Sequence, residues 1–125
     1  MSNLMAVLLN GIAQLEFDRN RSLPDYQGVY LDKMDAQMAA GIEIDGQTVA
    51  EPDPGQRAQF VAANLAHAIK HNDEAQAAAM CTYLAVRLPD LRQVKILDRD
   101  GEVTIDLVFD EDYVKQHPVT FNKLN

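Results

Sequence analysis

The fold is decided by residues 52–88, which read PDPGQRAQFVAANLAHAIKHNDEAQAAAMCTYLAVRL. Apolar residues recur there every three or four positions in two runs, namely Val61, Leu65 and Ile69, then Cys81, Leu84 and Leu88. This spacing predicts two amphipathic helices. The short polar stretch His71–Asp73 separates the runs, and a connection of that length predicts that the two helices are antiparallel.

Residues that begin and end helices flank both runs. Asp53 precedes Pro54, and an aspartate followed by a proline in the first helical turn is a common helix start. Asp73 and Gln76 have the spacing of a capping box, and Pro89 follows the second run, where it would end the helix. These signals set the bounds of a central helical hairpin at residues 53–88.

A second helical pair is predicted upstream, over residues 2–41. Met5, Leu8, Ile12 and Leu15 recur at intervals of three or four, as on one face of a helix. Gly11 lies inside that pattern and would cost about 1 kcal/mol relative to alanine. The second helix of the pair is expected to begin near Pro24 and to end before Gly41. Its apolar side is formed by four residues: Tyr30, Leu31, Met34 and Met38.

Two stretches alternate apolar and polar residues, which is typical of strands. Residues 42–50 alternate around Asp45–Gly46, and this pattern predicts a short hairpin. After Pro89 the period changes to two, with a turn at Asp98–Gly101 and a hairpin over residues 93–109. Val119–Phe121 could add one more strand, so we expect antiparallel strands within residues 92–122.

Together these elements predict a single α+β domain over residues 1–125. About four helices in two antiparallel pairs would pack on a small antiparallel sheet, dominated by the hairpin at about 93–109.

Composition excludes several classes of function. The formal net charge of −8 disfavours binding to nucleic acid or to an anionic membrane, because both require clustered Lys and Arg. The single cysteine permits no internal disulfide, which fits a reducing compartment. We therefore expect a cytoplasmic protein that contacts neither nucleic acid nor membrane, and no cofactor is predicted.

His67 and His71 are the candidate metal ligands. They are four residues apart, so both imidazoles could reach one ion from the same helix face, and Cys81 or Glu74 could supply a further ligand. However, the glutamate that makes the H-E-x-x-H motif specific is absent. Cys81 also lies in an apolar stripe, where a thiol usually packs as a small hydrophobic group.

No catalytic motif is present in the sequence. It contains no G-x-S-x-G, no phosphate-binding glycine loop and no dinucleotide fingerprint. The expected burial of Cys81 would raise its pKa and leave the chain without a reactive thiol. We therefore expect a protein that is not an enzyme.

The methionines suggest a contact surface. Tyr30, Leu31, Met34 and Met38 form a stripe of a kind favoured at adaptable interfaces, although such stripes usually fill a core. The function favoured by the sequence is a small acidic accessory, assembly or regulatory factor, which acts by protein–protein contact and forms a homodimer. Two alternatives stay open. The first is a metal or small-molecule binder using His67 and His71, and the second is an inhibitor that blocks a basic partner with the acidic stretch Asp32–Asp53.

Overall fold

A four-stranded mixed sheet packs against helices in the computed structural model, which describes residues 3–115. The strands of this sheet are β1 (Leu4–Leu9), β2 (Ile12–Asp18), β5 (Gln93–Arg99) and β6 (Glu102–Val108). The helices are α1 (Asp25–Ala39), α2 (Pro54–Lys70) and α3 (Glu74–Arg87). A separate two-stranded sheet consists of β3 (Ile42–Ile44) and β4 (Gln47–Val49).

The order of strands in the large sheet is β2-β1-β5-β6. β1 and β5 run parallel, with Val7 opposite Val94, whereas each pairs antiparallel with its outer neighbour. Because parallel strands cannot be joined by a tight turn, the connection from the first hairpin to the second carries all three helices. The α+β class predicted from the sequence is confirmed, but the sheet is mixed rather than antiparallel.

The predicted helix at the N-terminus is wrong, because Leu4–Asp18 forms a β-hairpin. Its turn is Asn10–Gly11, with φ angles of 50° and 84°. Positive φ at both central residues matches a type I′ turn, for which Asn-Gly is the preferred pair. Met5, Ala6 and Val7 are all fully buried, since β1 is an inner strand with both faces covered. Such a strand is apolar throughout, and its sequence resembles the stripe of a helix.

The predicted count of four helices in two antiparallel pairs is also wrong. Within residues 3–115 the chain forms three helices, and α1 has no N-terminal helix to pair with. α2 and α3 lie within the stretch predicted as a helical hairpin. Asp53 caps α2 with a full capping box. At the start of α3, the side chain of Asp73 accepts a hydrogen bond from the backbone N–H of Gln76.

The core lies between the sheet and α2 and α3, and the inward side of α1 joins it. Leu65 of α2 and Leu84 of α3 are both fully buried. Strands β5 and β6 occupy the stretch expected to form the C-terminal hairpin, whereas the strand predicted at Val119–Phe121 lies outside the described residues. No helix among those described is long and apolar enough to cross a membrane.

Candidate functional site

The outward side of α1 carries the most exposed aromatic side chain of the described chain. Tyr26, Val29 and Tyr30 are 71%, 59% and 45% exposed, respectively. Their spacing of three and four residues places them on one side of the helix, and we call this set the α1 ridge. Large apolar side chains that cluster on one helix face in water are typical of binding surfaces.

A groove lies beside the ridge, between α1 and α3, with a volume of about 500 Å³. We call it the α1–α3 groove. Residues from both helices line it: Tyr26, Tyr30 and Lys33 from α1, and Ala75, Ala78 and Ala79 from α3. Because alanine side chains are short, another helix could approach α3 closely at this wall.

One carboxylate fastens α1 to the other two helices. Asp35 accepts hydrogen bonds from the Tyr83 hydroxyl and from Nε of Arg87, the latter at 2.9 Å, both on α3. It also accepts one from Nη1 of Arg57 on α2, at 3.3 Å. The second guanidinium arm of Arg87 donates to Asp32 at 2.8 Å. We call these five residues the Asp35 cluster.

The electrostatics of the cluster keep Asp35 ionised. Its partial burial favours the neutral acid, but the hydrogen bonds from Tyr83 and Arg87 and the positive charges of Arg87 and Arg57 hold its pKa below the ordinary value. Burial and the hydrogen bond to Asp35 raise the pKa of Tyr83. Tyr83 therefore stays protonated near neutral pH, and its hydroxyl donates the hydrogen bond to Asp35.

Most of the residues predicted to form an interface are buried. Leu31, Met34 and Met38 are 1%, 7% and 4% exposed and belong to the core, whereas Tyr30 lies on the ridge. The sequence-based prediction missed Tyr26 and Val29. Their signal was the second apolar stripe of the same helix, which runs from residue 26 through 29 to 30 and is offset from the methionine stripe.

The structure brings His67 and His71 together, and no third His, Cys, Asp or Glu of the described residues joins them. Their ring centroids are 4.0 Å apart, and Nδ1 of His71 donates to the backbone oxygen of His67 at 2.9 Å. Among residues 3–115, no group of three His, Cys, Asp or Glu side chains could hold a metal ion. His67 also lines an open cleft of about 620 Å³, between α2, the β3–β4 hairpin and β6.

Cys81 is far less accessible than a reactive thiol must be. It is 4% exposed and belongs to the core, and burial raises its pKa to about 12, against a smaller opposing effect of Arg19. A thiol with so high a pKa carries almost no thiolate at neutral pH, and the thiolate is the nucleophile.

Half of the acidic stretch Asp32–Asp53 is engaged within the chain. Asp32 and Asp35 contact arginines in the Asp35 cluster, and Asp53 accepts a hydrogen bond from the backbone amide of Gln56 at 2.8 Å. Glu43, Asp45 and Glu51 are exposed. The stretch therefore does not form one continuous face of unpaired carboxylates.

Comparison with known proteins adds no relationship. The chain matches no protein-family model, and neither a characterised protein nor a solved structure shows significant similarity to it.

Proposed function

We propose that this protein is a non-enzymatic accessory or regulatory factor that binds another protein through the α1 ridge and the α1–α3 groove. The observation that carries the proposal is the exposed side of α1, where Tyr26, Val29 and Tyr30 stand together beside a groove. Tyrosine is enriched at the centres of protein interfaces, because its ring provides apolar area and its hydroxyl can still donate a hydrogen bond.

The Asp35 cluster supports this proposal because it holds the ridge in place. Asp35 lies on the side of α1 that faces α2 and α3, and it binds side chains from both of these helices. A surface that is already ordered before binding loses less conformational entropy when a partner arrives. The ridge therefore has the rigid support expected of a contact surface.

The chemical groups of the described chain favour contact over catalysis. Burial raises the pKa of the Cys81 thiol to about 12, and burial together with the hydrogen bond to Asp35 raises the pKa of Tyr83. The paired imidazoles of His67 and His71 have no third ligand among the described residues. These groups offer neither a reactive nucleophile nor a metal centre.

The proposal is tested with a ridge variant, in which Tyr26→Ser and Val29→Ser replace the two most exposed side chains of the α1 ridge with small polar ones. A matched control is Leu97→Ser with Phe109→Ser, since Leu97 and Phe109 are also exposed, at 41% and 46%, but lie on and beside the sheet. Each tagged variant is expressed in the native cell and recovered under mild conditions. Bound proteins are identified by mass spectrometry, and the oligomeric state is measured by light scattering.

We expect the wild type and the control to retain a stoichiometric partner that the ridge variant loses. The homodimer predicted from the sequence is tested in the same experiment, because it would appear as a dimer that only the ridge variant dissociates. If the ridge variant keeps every bound protein and the same oligomeric state as the wild type, the proposal is wrong.

A further inference from the structure

We infer that β6 binds an extended basic segment of another protein as an additional strand, in the open cleft between α2, the β3–β4 hairpin and β6. We call this space the α2–β6 cleft, and its volume is about 620 Å³. It shares no lining residue with the α1–α3 groove, so it is a second contact site that goes beyond the proposed function. Three features support the inference: the free edge of β6, the walls of the cleft and the charges that line it.

β6 presents a strand edge with unpaired backbone groups. It is an outer strand of the large sheet, and within residues 3–115 only β5 pairs with it. The two-residue turn Asp100–Gly101, with φ angles of 54° and 83°, joins Arg99 to its partner Glu102. In such a hairpin the pair beside the turn exchanges hydrogen bonds, so every second residue after it directs its N–H and C=O away from β5. These residues are Val103, Ile105 and Leu107.

The opposite edge of the sheet, at β2, is less suited to receive a strand. The register between β1 and β2 shifts, and Gln14 is left without a partner residue. A bulge of this kind bends and twists an edge, and natural proteins use it to prevent pairing. β6 keeps one register with β5 along its whole length, and neither a lysine nor a proline interrupts it. Its edge is therefore open to strand addition.

The walls of the cleft suit a single strand. Consecutive residues Val103, Thr104 and Ile105 line it although their side chains alternate, so the edge of β6 itself forms one wall. The facing wall is the end of β3 and its turn, residues 43–45, and α2 forms the third side. A strand in this position directs every second side chain at α2, where small side chains leave room for it. The lining alanines of α2 are Ala62, Ala63 and Ala66.

The charges in the lining favour a basic segment. Glu43 and Asp45 are exposed in the β3 wall, and neither forms a salt bridge within the described part of the chain. Lys70 also lines the cleft, but its ammonium group already contacts Asp98 at 3.3 Å. A Lys or Arg of the bound segment beside Glu43 and Asp45 therefore meets unpaired charges of the opposite sign. Such pairs speed association and fix the register of the bound chain.

A second copy of this chain fits the cleft less well. The outer strands that it has to offer carry carboxylates and no lysine: Glu16 and Asp18 in β2, and Glu102 and Asp106 in β6. These groups would approach the acidic β3 wall, and the net charge of −8 on each copy adds a general repulsion. A short segment of a separate protein needs no large apolar surface, because main-chain hydrogen bonds supply the affinity in strand addition.

The test uses the synthetic peptide Lys-Val-Thr-Val-Thr-Val-Lys, in which apolar and polar residues alternate between basic ends. A control peptide has the same side chains and charge, but methyl groups on its internal amide nitrogens prevent them from donating hydrogen bonds. Each peptide is titrated into the full-length, isotope-labelled protein at low and moderate salt. Nuclear magnetic resonance reports the affinity, the position of the contact and the hydrogen exchange of single amides.

Two variants test the edge and the charges. Val103→Pro removes one outward N–H and keeps the ladder with β5, since proline is tolerated at edge positions whose N–H faces solvent. Its matched control is Val103→Thr, which keeps the donor and the size of the side chain. Glu43→Gln with Asp45→Asn removes the acidic wall, and its control is Glu51→Gln with Asp90→Asn, two exposed carboxylates outside the lining. Circular dichroism and a thermal melt verify that every variant is folded.

We expect saturating peptide to slow the hydrogen exchange of Val103, Ile105 and Leu107 in the wild type at least tenfold, and the methylated peptide to leave it unchanged. Val103→Pro should weaken binding at least tenfold. The acidic-wall variant should lose severalfold in affinity and become less sensitive to salt. Both control variants should bind like the wild type.

The inference is wrong if the unmodified peptide does not bind, if the methylated peptide binds equally well, or if exchange at the three amides does not change. Protection of these amides before any peptide is added would also overturn it. Such protection would mean that the chain itself fills the cleft or, where dilution removes it, that a second copy does. None of these outcomes bears on the proposed function, because no variant alters α1 or α3.

Discussion

Asp35 connects α1 to both α2 and α3. Its carboxylate is bound by Arg57 of α2 and by Tyr83 and Arg87 of α3, and its side chain is only 26% exposed. Replacing Asp35 with Asn removes the charge that these partners share. We expect Asp35→Asn to lower the free energy of unfolding by about 1.5–3 kcal/mol, the range for hydrogen bonds to charged groups. Urea denaturation measures this, and Glu51→Gln, an exposed change outside the cluster, should have little effect.

The contribution of Asp35 should also depend on pH, with a defined sign. Its pKa in the folded protein lies below the ordinary value of 3.8. The folded state therefore binds this proton less readily than the unfolded chain does, so the stabilisation is fully present above pH 3.8 and is lost as the pH falls further. We expect the stability difference between the wild type and Asp35→Asn to be constant from neutral to mildly acidic pH and to shrink below pH 3.8. A difference that stays constant through that range would exclude the ionised carboxylate as its source.

Cys81 provides a residue-scale test of the core. It is 4% exposed, and its pKa is raised to about 12 by burial. Labelling of the native protein by a thiol reagent should therefore be slow and should become fast when urea unfolds the chain, because burial blocks both access and ionisation. The rate is followed by mass spectrometry. Rapid labelling of the folded protein would show that the thiol is accessible and would reopen its role as a nucleophile or ligand.

At the scale of elements, α1 has two apolar sides with different roles. Met34 is 7% exposed and lies in the core, whereas Val29 on the same helix is 59% exposed. Met34→Asp would bury a carboxylate and remove apolar packing, so we expect it to destabilise the protein by about 3 kcal/mol or more. Val29→Asp should leave the fold intact. Thermal melts of the two variants measure the loss of stability in each. If Met34→Asp is as stable as the wild type, α1 does not pack through its methionines.

Local signals in the sequence were enough to predict α2 and α3, whereas they were not enough to predict β1. Asp53 and Asp73 cap their helices through the hydrogen bonds that their positions in the sequence suggested, because a cap depends on residues only three positions apart. β1 is apolar on both faces because helical residues such as Leu65 and Leu84 pack on one face and Tyr113 packs on the other. All of these residues are distant from β1 in the sequence. The Asn10–Gly11 pair is a local signal of this hairpin, whereas the sequence analysis placed Gly11 inside a helix as an unfavourable residue.

At the scale of the whole molecule, the order of strands sets how stability is distributed. β1 and β5 each pair with two neighbours, whereas β2 and β6 are the outer strands of the sheet. We expect the amides of Val7 and Val94, which lie opposite each other in the parallel pair, to exchange with solvent most slowly. Amides of β2 and β6 should exchange sooner, since every second one points away from the sheet. Native-state hydrogen exchange measures this, and protection that is equal in β2 and β1 would contradict the pairing.

The candidate site was only partly visible in the sequence. Tyr30 was expected at an interface and does lie on the exposed side of α1, but its expected companions Leu31, Met34 and Met38 are in the core. The sequence showed that this helix has apolar residues on more than one side. Which side faces water depends on the tertiary packing, because Leu31, Met34 and Met38 are buried in the core. The contacts of Asp35, with residues 22 to 52 positions further along the chain, are made on the inward side as well.

The sequence by itself determined the α+β class, the helix caps and the turns at Asp-Gly pairs, because each depends on the conformational preferences of neighbouring residues. The tertiary structure decided that residues 4–18 form a hairpin, that the sheet is mixed and that the methionine side of α1 faces inward. These outcomes depend on burial, and a run of apolar residues does not specify the partner against which it is buried. One face of Leu4–Leu9 is buried in the main core with the helices, and the other packs with Tyr113. Its parallel neighbour β5 follows all three helices in the chain.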